Sequence, residues 1–303
     1  MRKRLAAIAA SFVLVFAGAL YLRPTQTVDA LRKARLVLGG VRRVRAGTLA
    51  AYEKDLCSPG APCRCVALIH GLGDSALTWD SVMLGKDGAW TPPLGTRLLA
   101  VELPGSEGSL PPSTPEGYAI PAMADRVKDA LQSQCPQWTV VGNSLGGWVA
   151  GWLALKWPEG VKQLVLVNAA GLDDPTGVEI QTARILEDPT PEKMKEFAGR
   201  AYAKPRPVPE RVWPGVVAAI RARPAAKMVA ALKKEYLLDD KARNIRAQTM
   251  ILWGTSDRVV PQAVGEGFAR LIPGARLQLV PDCGHLPQQE CPQAVSRALF
   301  PAE

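Results

Sequence analysis

Six short apolar runs limit the fold more than any other feature of this chain. They are VALI at 66–69, LLAV at 98–101, WTVV at 138–141, VKQLVLVN at 161–168, TMILW at 249–253 and ARLQLV at 275–280. Most are nearly continuous rather than alternating, the pattern of strands covered on both faces of a parallel sheet. Parallel neighbours need a crossover, usually a helix, and helical spacing lies where crossovers belong. Met123, Val127, Ala130 and Leu131 fall on one face of 120–134, and 145–157 and 262–271 are also helical in pattern. On the helix from 145, Trp148 and Trp152 stand at i and i+4, read first as core packing and second as pocket residues. Residues 44–53 alternate around Ala46-Gly47 and read as a hairpin leading into the sheet. The rhythm breaks once. Residues 172–247 carry helical patches and a Pro-rich stretch at 204–209, with no strand-like run. The expectation is one α/β domain with a mostly parallel central sheet and helices on both faces. Its parts are 44–171 and 248–303, interrupted by a helical cap at 172–247.

The formal charge of +9 suggests nucleic acid until it is located. Residues 1–45 hold ten Lys/Arg and one acid, Asp29, whereas the rest of the chain carries 27 basic and 27 acidic residues. The body therefore lacks the global positive field that phosphate tracking needs, and no nucleic-acid partner is expected.

The N-terminus reads as an address. Arg2, Lys3 and Arg4 precede an uncharged run of 18 residues, 5–22. That length lies between a signal-peptide core of about 7–15 residues and a membrane span of about 20. Ala17-Gly18-Ala19 has the small-x-small form of a cleavage site, while Tyr21 and Leu22 continue the run as an anchor would. Residues 1–23 are thus a signal peptide or a membrane anchor, and the expected location is periplasmic or extracytoplasmic. Residues 24–43 read as a basic linker. The mixture of Val28, Leu31, Leu36, Val37 and Leu38 with Arg32, Lys33, Arg35, Arg42, Arg43 and Arg45 also suits a segment lying on anionic headgroups. Six cysteines behind an export signal allow up to three disulfides in 15 pairings. Cys283 and Cys291 bracket a short loop and suit a local bridge. Cys63-Arg-Cys65 resembles half a metal site, but the chain has two histidines and both have better uses, so neither a metal nor a cofactor is expected.

Gly142-Asn-Ser144-Leu-Gly146 is a G-x-S-x-G element between an expected strand and an expected helix. Its glycines permit a sharp turn that leaves the serine hydroxyl exposed at the apex, beside a helix N-terminus that favours negative charge. A serine needs a base. His285 follows a late strand, in Asp282-Cys-Gly-His-Leu-Pro287, whereas His70 abuts Gly71-Leu-Gly73, where it shapes a loop. Asp257 follows the 249–253 strand and stands between serine and histidine in chain order, as the orienting acid of an α/β-hydrolase does. Asp173 and Asp174 are reserve candidates, and Asp282 is too near His285. The N–H groups of Leu72 and Leu145 are the candidate oxyanion donors.

These residues resemble the α/β-hydrolase superfamily in its capped, single-domain serine branch. His70-Gly-Leu-Gly-Asp-Ser-Ala-Leu-Thr-Trp79 resembles the oxyanion loop, and Glu102-Leu-Pro-Gly-Ser-Glu-Gly-Ser109 resembles the D-x-P-G-x-G-x-S loop. Gly142 to Gly147 resembles the nucleophile elbow, Gly254-Thr-Ser-Asp257 with Pro261 the acid loop, and Gly284-His285-x-Pro287 followed by Glu290 the histidine loop. The likeness covers about residues 44–300. Glu102 stands where Asp is usual, a departure that bears on pocket shape.

A serine at the elbow argues against dehalogenase and epoxide hydrolase chemistry. The resemblance then implies a carboxylesterase, a monoacylglycerol-type lipase, an acyltransferase or a hydrolase of C–C or amide bonds, with an exported context favouring small-molecule or lipid esters. A non-catalytic relative would normally have lost a triad member, and none is missing. Trp213 in the cap is a candidate pocket residue or a packing anchor.

Overall fold

A computed structural model gives the structure of residues 22–85 and 91–300. The apolar run at 5–22 lies outside these residues apart from Leu22. Among the described residues no helix is long and apolar enough to cross a membrane.

Eight strands form one sheet: β1 (Arg42–Ala46), β2 (Leu49–Asp55), β3 (Arg64–Ile69), β4 (Thr96–Val101), β5 (Trp138–Asn143), β6 (Val161–Val167), β7 (Gln248–Gly254) and β8 (Arg276–Val280). Their spatial order is β1-β2-β4-β3-β5-β6-β7-β8. The first two strands form the expected hairpin, turning at Gly47 with φ +58°, and β2 runs antiparallel to β4. From β4 to β8 every pairing is parallel.

Side chains of each strand alternate between two cores, as the pleat requires. Ala67, Ile69, Val140, Leu164 and Leu166 enter one core. Its cover is α3 (Ile120–Leu131), α4 (Leu145–Lys156) and α9 (Gln262–Leu271). Val66, Leu68, Val141, Val165 and Val167 enter the other, beneath α1 (Pro24–Leu38), α2 (Asp80–Leu84) and α11 (Pro292–Leu299). With both faces covered, the inner strands can be apolar almost throughout, and β5 is buried at every position.

Between β6 and β7 come α5 (Val178–Glu187), α6 (Pro191–Ala201), α7 (Trp213–Arg221) and α8 (Ala225–Ala230). Pro191 occupies the first turn of α6, and the Thr190 hydroxyl caps it by accepting the Lys193 N–H at 3.3 Å. The Pro-rich stretch at 204–209 contains no helix. A short α10 (Pro287–Glu290) follows β8.

One sequence expectation needs correction. Of residues 24–43, read as a basic linker, 42–43 open β1 and 24–38 form α1, a helix fastened to the body. Pro24 starts it, Leu36 is buried, and Arg32 bonds Asp80 Oδ2 at 3.0 Å and the Leu77 carbonyl at 2.6 Å. Lys33 reaches Glu107 at 3.2 Å. Two of the charges that suggested an open tether, Arg32 and Lys33, are therefore the contacts that dock the helix.

The six cysteines pair as Cys57–Cys63, Cys65–Cys135 and Cys283–Cys291. The last is the local bridge suggested by spacing.

Candidate active site

Strand register gathers the chemistry at one end of the sheet. Ile69 pairs with Gly142, Asn143 with Val167, and Val167 with Leu252. The chain leaving each strand therefore begins at nearly the same level. His70, Ser144, Asn168 and the loop after Gly254 all meet there, at the carboxyl ends where open α/β sheets bind ligands.

Ser144 adopts φ +56° and ψ −125°, a conformation that L residues rarely hold. The elbow holds it by close backbone approach. A Cβ at Gly142 would overlap the Gly146 carbonyl, and one at Gly146 would overlap the carbonyls of Ile69 and His70. Only glycine fits both places, and the hydroxyl is left at the apex. Leu145 is the first residue of α4, so its N–H has no carbonyl one turn back to reach.

His285 and Asp257 form a buried pair, with His285 Nδ1 2.8 Å from Asp257 Oδ2 and side-chain exposures of 3% and 1%. The same Asp257 oxygen accepts a short bond from Asn168 Nδ2. The other, Oδ1, accepts the N–H groups of Val259 at 2.7 Å and Val260 at 3.1 Å. Four donors thus fix the carboxylate, and the imidazole must present Nδ1–H to it. Neither Asp173 nor Asp174 takes this place. Asp174 binds Thr176 and the Glu179 N–H in its own loop, and Asp173 pairs with Lys234 at 3.7 Å.

Sequence reasoning missed the side chains that lock the loops together. Asn143 Nδ2 donates to the carbonyls of Val167 and His285, both at 3.0 Å, and its Oδ1 accepts from Gln288 Nε2 at 3.1 Å. Asn168 Oδ1 accepts the Gly254 N–H at 3.1 Å while its amide group holds Asp257. An asparagine at each of two strand ends was all the sequence showed, and their burial is a product of the fold. The carbonyls at the end of α6, which the helix cannot satisfy internally, are also used: Ala201 O accepts the His285 N–H at 2.7 Å and Arg200 O the Arg258 N–H at 3.3 Å.

His70 shapes the early glycine loop. The Leu103 N–H bonds its Nε2 at 3.0 Å, so Nδ1 carries the proton and donates to Gly71 O at 2.9 Å. Glu102 accepts the Ala76 N–H at 3.1 Å with Oε1. Gly71 stands against Ser144, since a Cβ there would lie 3.2 Å from Ser144 Cβ, and Arg223 of the cap donates to Gly73 O at 2.8 Å. Leu72 lies between these anchors.

Ser144, His285, Leu72 and Leu145 line one cavity of about 520 Å³. Leu186, Met194, Phe197, Trp213 and Ile220 of the cap also line it, and they belong to an apolar cluster that Val217 completes behind them. Trp213 is both packing anchor and lining residue. Trp148 lines the cavity too, and both its indole and that of Trp152 donate to Tyr236 O, at 2.7 and 2.6 Å.

Sheet, elbow and loops together define an α/β-hydrolase, and residues 66–298 match that family, described as "Alpha/beta hydrolase family". The chain belongs to it. Among its relatives, monoacylglycerol lipase ABHD6 of Homo sapiens is 26% identical over 256 residues, covering 78% of this chain and 74% of the relative. A membrane phospholipase A, a bacterial virulence factor, superposes with a TM-score of 0.75 at 24% identity, covering 99% of this chain and 97% of the other. The meta-cleavage product hydrolase of Pseudomonas fluorescens IP01 superposes at 0.66 and 22% identity, covering 86% and 97%. Family and kinship identify a hydrolase with lipase relatives.

Proposed function

We propose that the protein is a serine carboxylesterase or lipase acting on acyl esters. The observation that carries this reading is the buried Asp257–His285 pair, 2.8 Å apart, opening on the same apolar-walled cavity as an elbow serine. Ser144 Oγ attacks the ester carbonyl while His285 takes its proton, and Asp257 holds the imidazole in the tautomer the step needs. The N–H groups of Leu72 and Leu145 receive the oxyanion. His285 then protonates the leaving alcohol and activates the water that releases the acid. The apolar stretch of the cap side, Leu186, Met194, Phe197, Trp213 and Ile220, suits the acyl chain, as do lipase relatives.

We further propose that residues 1–23 export or anchor the chain and that residues 1–45 face a lipid surface. Three disulfides accord with an oxidising compartment. On α1, Val28, Leu31, Val37 and Leu38 are exposed beside basic residues.

The test is kcat/KM on p-nitrophenyl esters from acetate to palmitate with oxidised protein comprising residues 24–303. Ser144→Ala should abolish turnover. Asp257→Asn should lower kcat by about 10³–10⁴ with KM little changed, because it reverses the polarity facing Nδ1. Absence of turnover at every chain length in the parent protein would overturn the ester reading and turn attention to C–C or amide bonds.

A further inference from the structure

The catalytic cavity has one wall unlike the others. A second cavity of about 260 Å³ lies outside it, and the two share Trp148, Glu179, Ala183 and Leu232. These residues are the partition between them. Three are apolar on the catalytic side, and Trp148 already spends its N–H on Tyr236. Glu179 is the exception. It stands in the first turn of α5, with Oε2 fully buried and no hydrogen-bond partner. Its backbone is pinned by Asp174 Oδ2, which accepts the Glu179 N–H at 3.0 Å. The helix turn thus sets the side chain in place while one oxygen of its acid group is buried without a partner. An unpaired buried carboxyl is costly, and a native fold normally supplies its partner.

The two cavities differ in chemistry. The cap side of the catalytic cavity is Leu186, Met194, Phe197, Trp213 and Ile220. The outer cavity is lined by Leu172, Ile180 and Leu237 as well, and carries Asp173, Asp174, Lys233 and Lys234 at its rim, with Lys234 paired to Asp173 at 3.7 Å. An ester held at Ser144 has two halves of different polarity. An acyl chain matches the apolar cap side, and a hydroxylated alcohol matches the Glu179 carboxyl in the partition.

We propose that Glu179 selects the alcohol half of the substrate, its carboxyl hydrogen-bonding a free hydroxyl on the alcohol of a polyol monoester. The inference rests on the ester-hydrolase reading of Ser144 and names the substrate class of that site. A hydroxyl both donates and accepts, so it complements a carboxylic acid fully. Burial, with Asp174 and Asp257 nearby, raises the Glu179 pKa to about 8, which keeps it an acid with a proton to donate at neutral pH. A site built to bond a hydroxyl discriminates against an alcohol that lacks one, because the buried group is again left unpaired.

The experiment compares monolauroylglycerol with methyl laurate, esters of one acid whose alcohols differ in free hydroxyls. Wild-type protein, Glu179→Leu and Glu179→Gln are assayed, and labelling by a fluorophosphonate counts active centres so that misfolded protein is divided out. Wild type should favour the glycerol ester. In Glu179→Leu the ratio of kcat/KM values, glycerol ester over methyl ester, should fall roughly ten-fold, chiefly through KM. Glu179→Gln keeps a donor and an acceptor and should hold the ratio within about three-fold. A wild type without preference, a ratio unmoved by Glu179→Leu, or Glu179→Gln falling as far as leucine would each overturn the proposal while leaving the esterase intact. A wild type that cleaves neither ester would instead sink the reading beneath it.

Discussion

Two carboxyl groups of this site have opposite surroundings, and their roles follow. Asp257 accepts from His285, Asn168 and two backbone N–H groups, the surroundings of a fixed anion. Glu179 has a buried oxygen without a partner and faces Asp174 and Asp257, with Asp173, Lys233 and Lys234 across the outer cavity. The consequence for stability can be signed. Below its ordinary pKa of 4.5 Glu179 is protonated folded and unfolded. Between 4.5 and about 8 the unfolded chain releases the proton while the folded protein retains it, so this group's contribution to stability declines as pH rises through that window. Glutamine has no proton to lose. The melting temperature of Glu179→Gln relative to wild type should therefore climb by about 4 °C or more between pH 5 and pH 9, measured by calorimetry. A difference that stays constant across that range would show that the residue carries no such linkage. The sequence disclosed the residues whose chemistry is recognisable in a motif, Ser144, His285 and Asp257 among them. It did not disclose Glu179, Asn143 or Asn168. A glutamate in a helix first turn and an asparagine at a strand end are common on surfaces, and only the folded register shows that these are enclosed.

Strand ends and loops carry the site, and the bridges acting on them differ in what they constrain. Cys65–Cys135 joins β3 to the chain after α3 across 70 residues, whereas Cys283–Cys291 closes only 8 around His285. In the chain-entropy account the first stabilises by about 4 kcal/mol and the second by about 2.5 kcal/mol. Activity should rank them the other way. The loop at 283–291 sets the His285 backbone, which reaches Ala201 and Asn143, while Cys65 lies at the far end of β3 from His70. Cys65→Ala/Cys135→Ala should lower the melting temperature more, and Cys283→Ala/Cys291→Ala should lower kcat more at a temperature where both stay folded. Chemical denaturation and ester kinetics on the same preparations check both rankings, and a single order for both quantities would refute the division. The alternation of strand and helix was legible because strands covered on both faces must be apolar. Helix α1 was not. Its contacts are polar, Arg32 to Asp80 and Lys33 to Glu107, with a single fully buried side chain, Leu36. Charges that dock a helix look in sequence like charges on a tether. Cysteine pairing was legible only for the local loop, since the other bridges depend on which strands become neighbours.

Helix α1 joins parts of the molecule that the chain order keeps far apart. It lies on α2 beside the sheet through Arg32, and its Thr25 sits against Gly215 of α7 in the cap, where a Cβ would come within 2.6 Å of the threonine hydroxyl. Val28 of this helix also lines the cavity that holds Ser144, with Val208, Val212 and Val216 of the cap lining it too. Val28 remains 46% exposed, so it stands at the rim of the cavity rather than in its depth. On the proposed ester reading, a long acyl chain filling the cap side would cross this rim, whereas an acetyl group at Ser144 would stop short of it. Placing a charge at the rim should therefore tax long chains alone, since each methylene returned to water loses about 0.8 kcal/mol of burial. Val28→Glu should reduce kcat/KM for p-nitrophenyl palmitate by about four- to fifteen-fold, leaving the acetate ester within about two-fold, if one or two methylenes lose their contact. Equal losses on both esters would mean that α1 acts by holding the cap and not by lining the path. A loss confined to palmitate would make this helix, which follows directly on the apolar N-terminal run, part of the route by which a lipid reaches the serine.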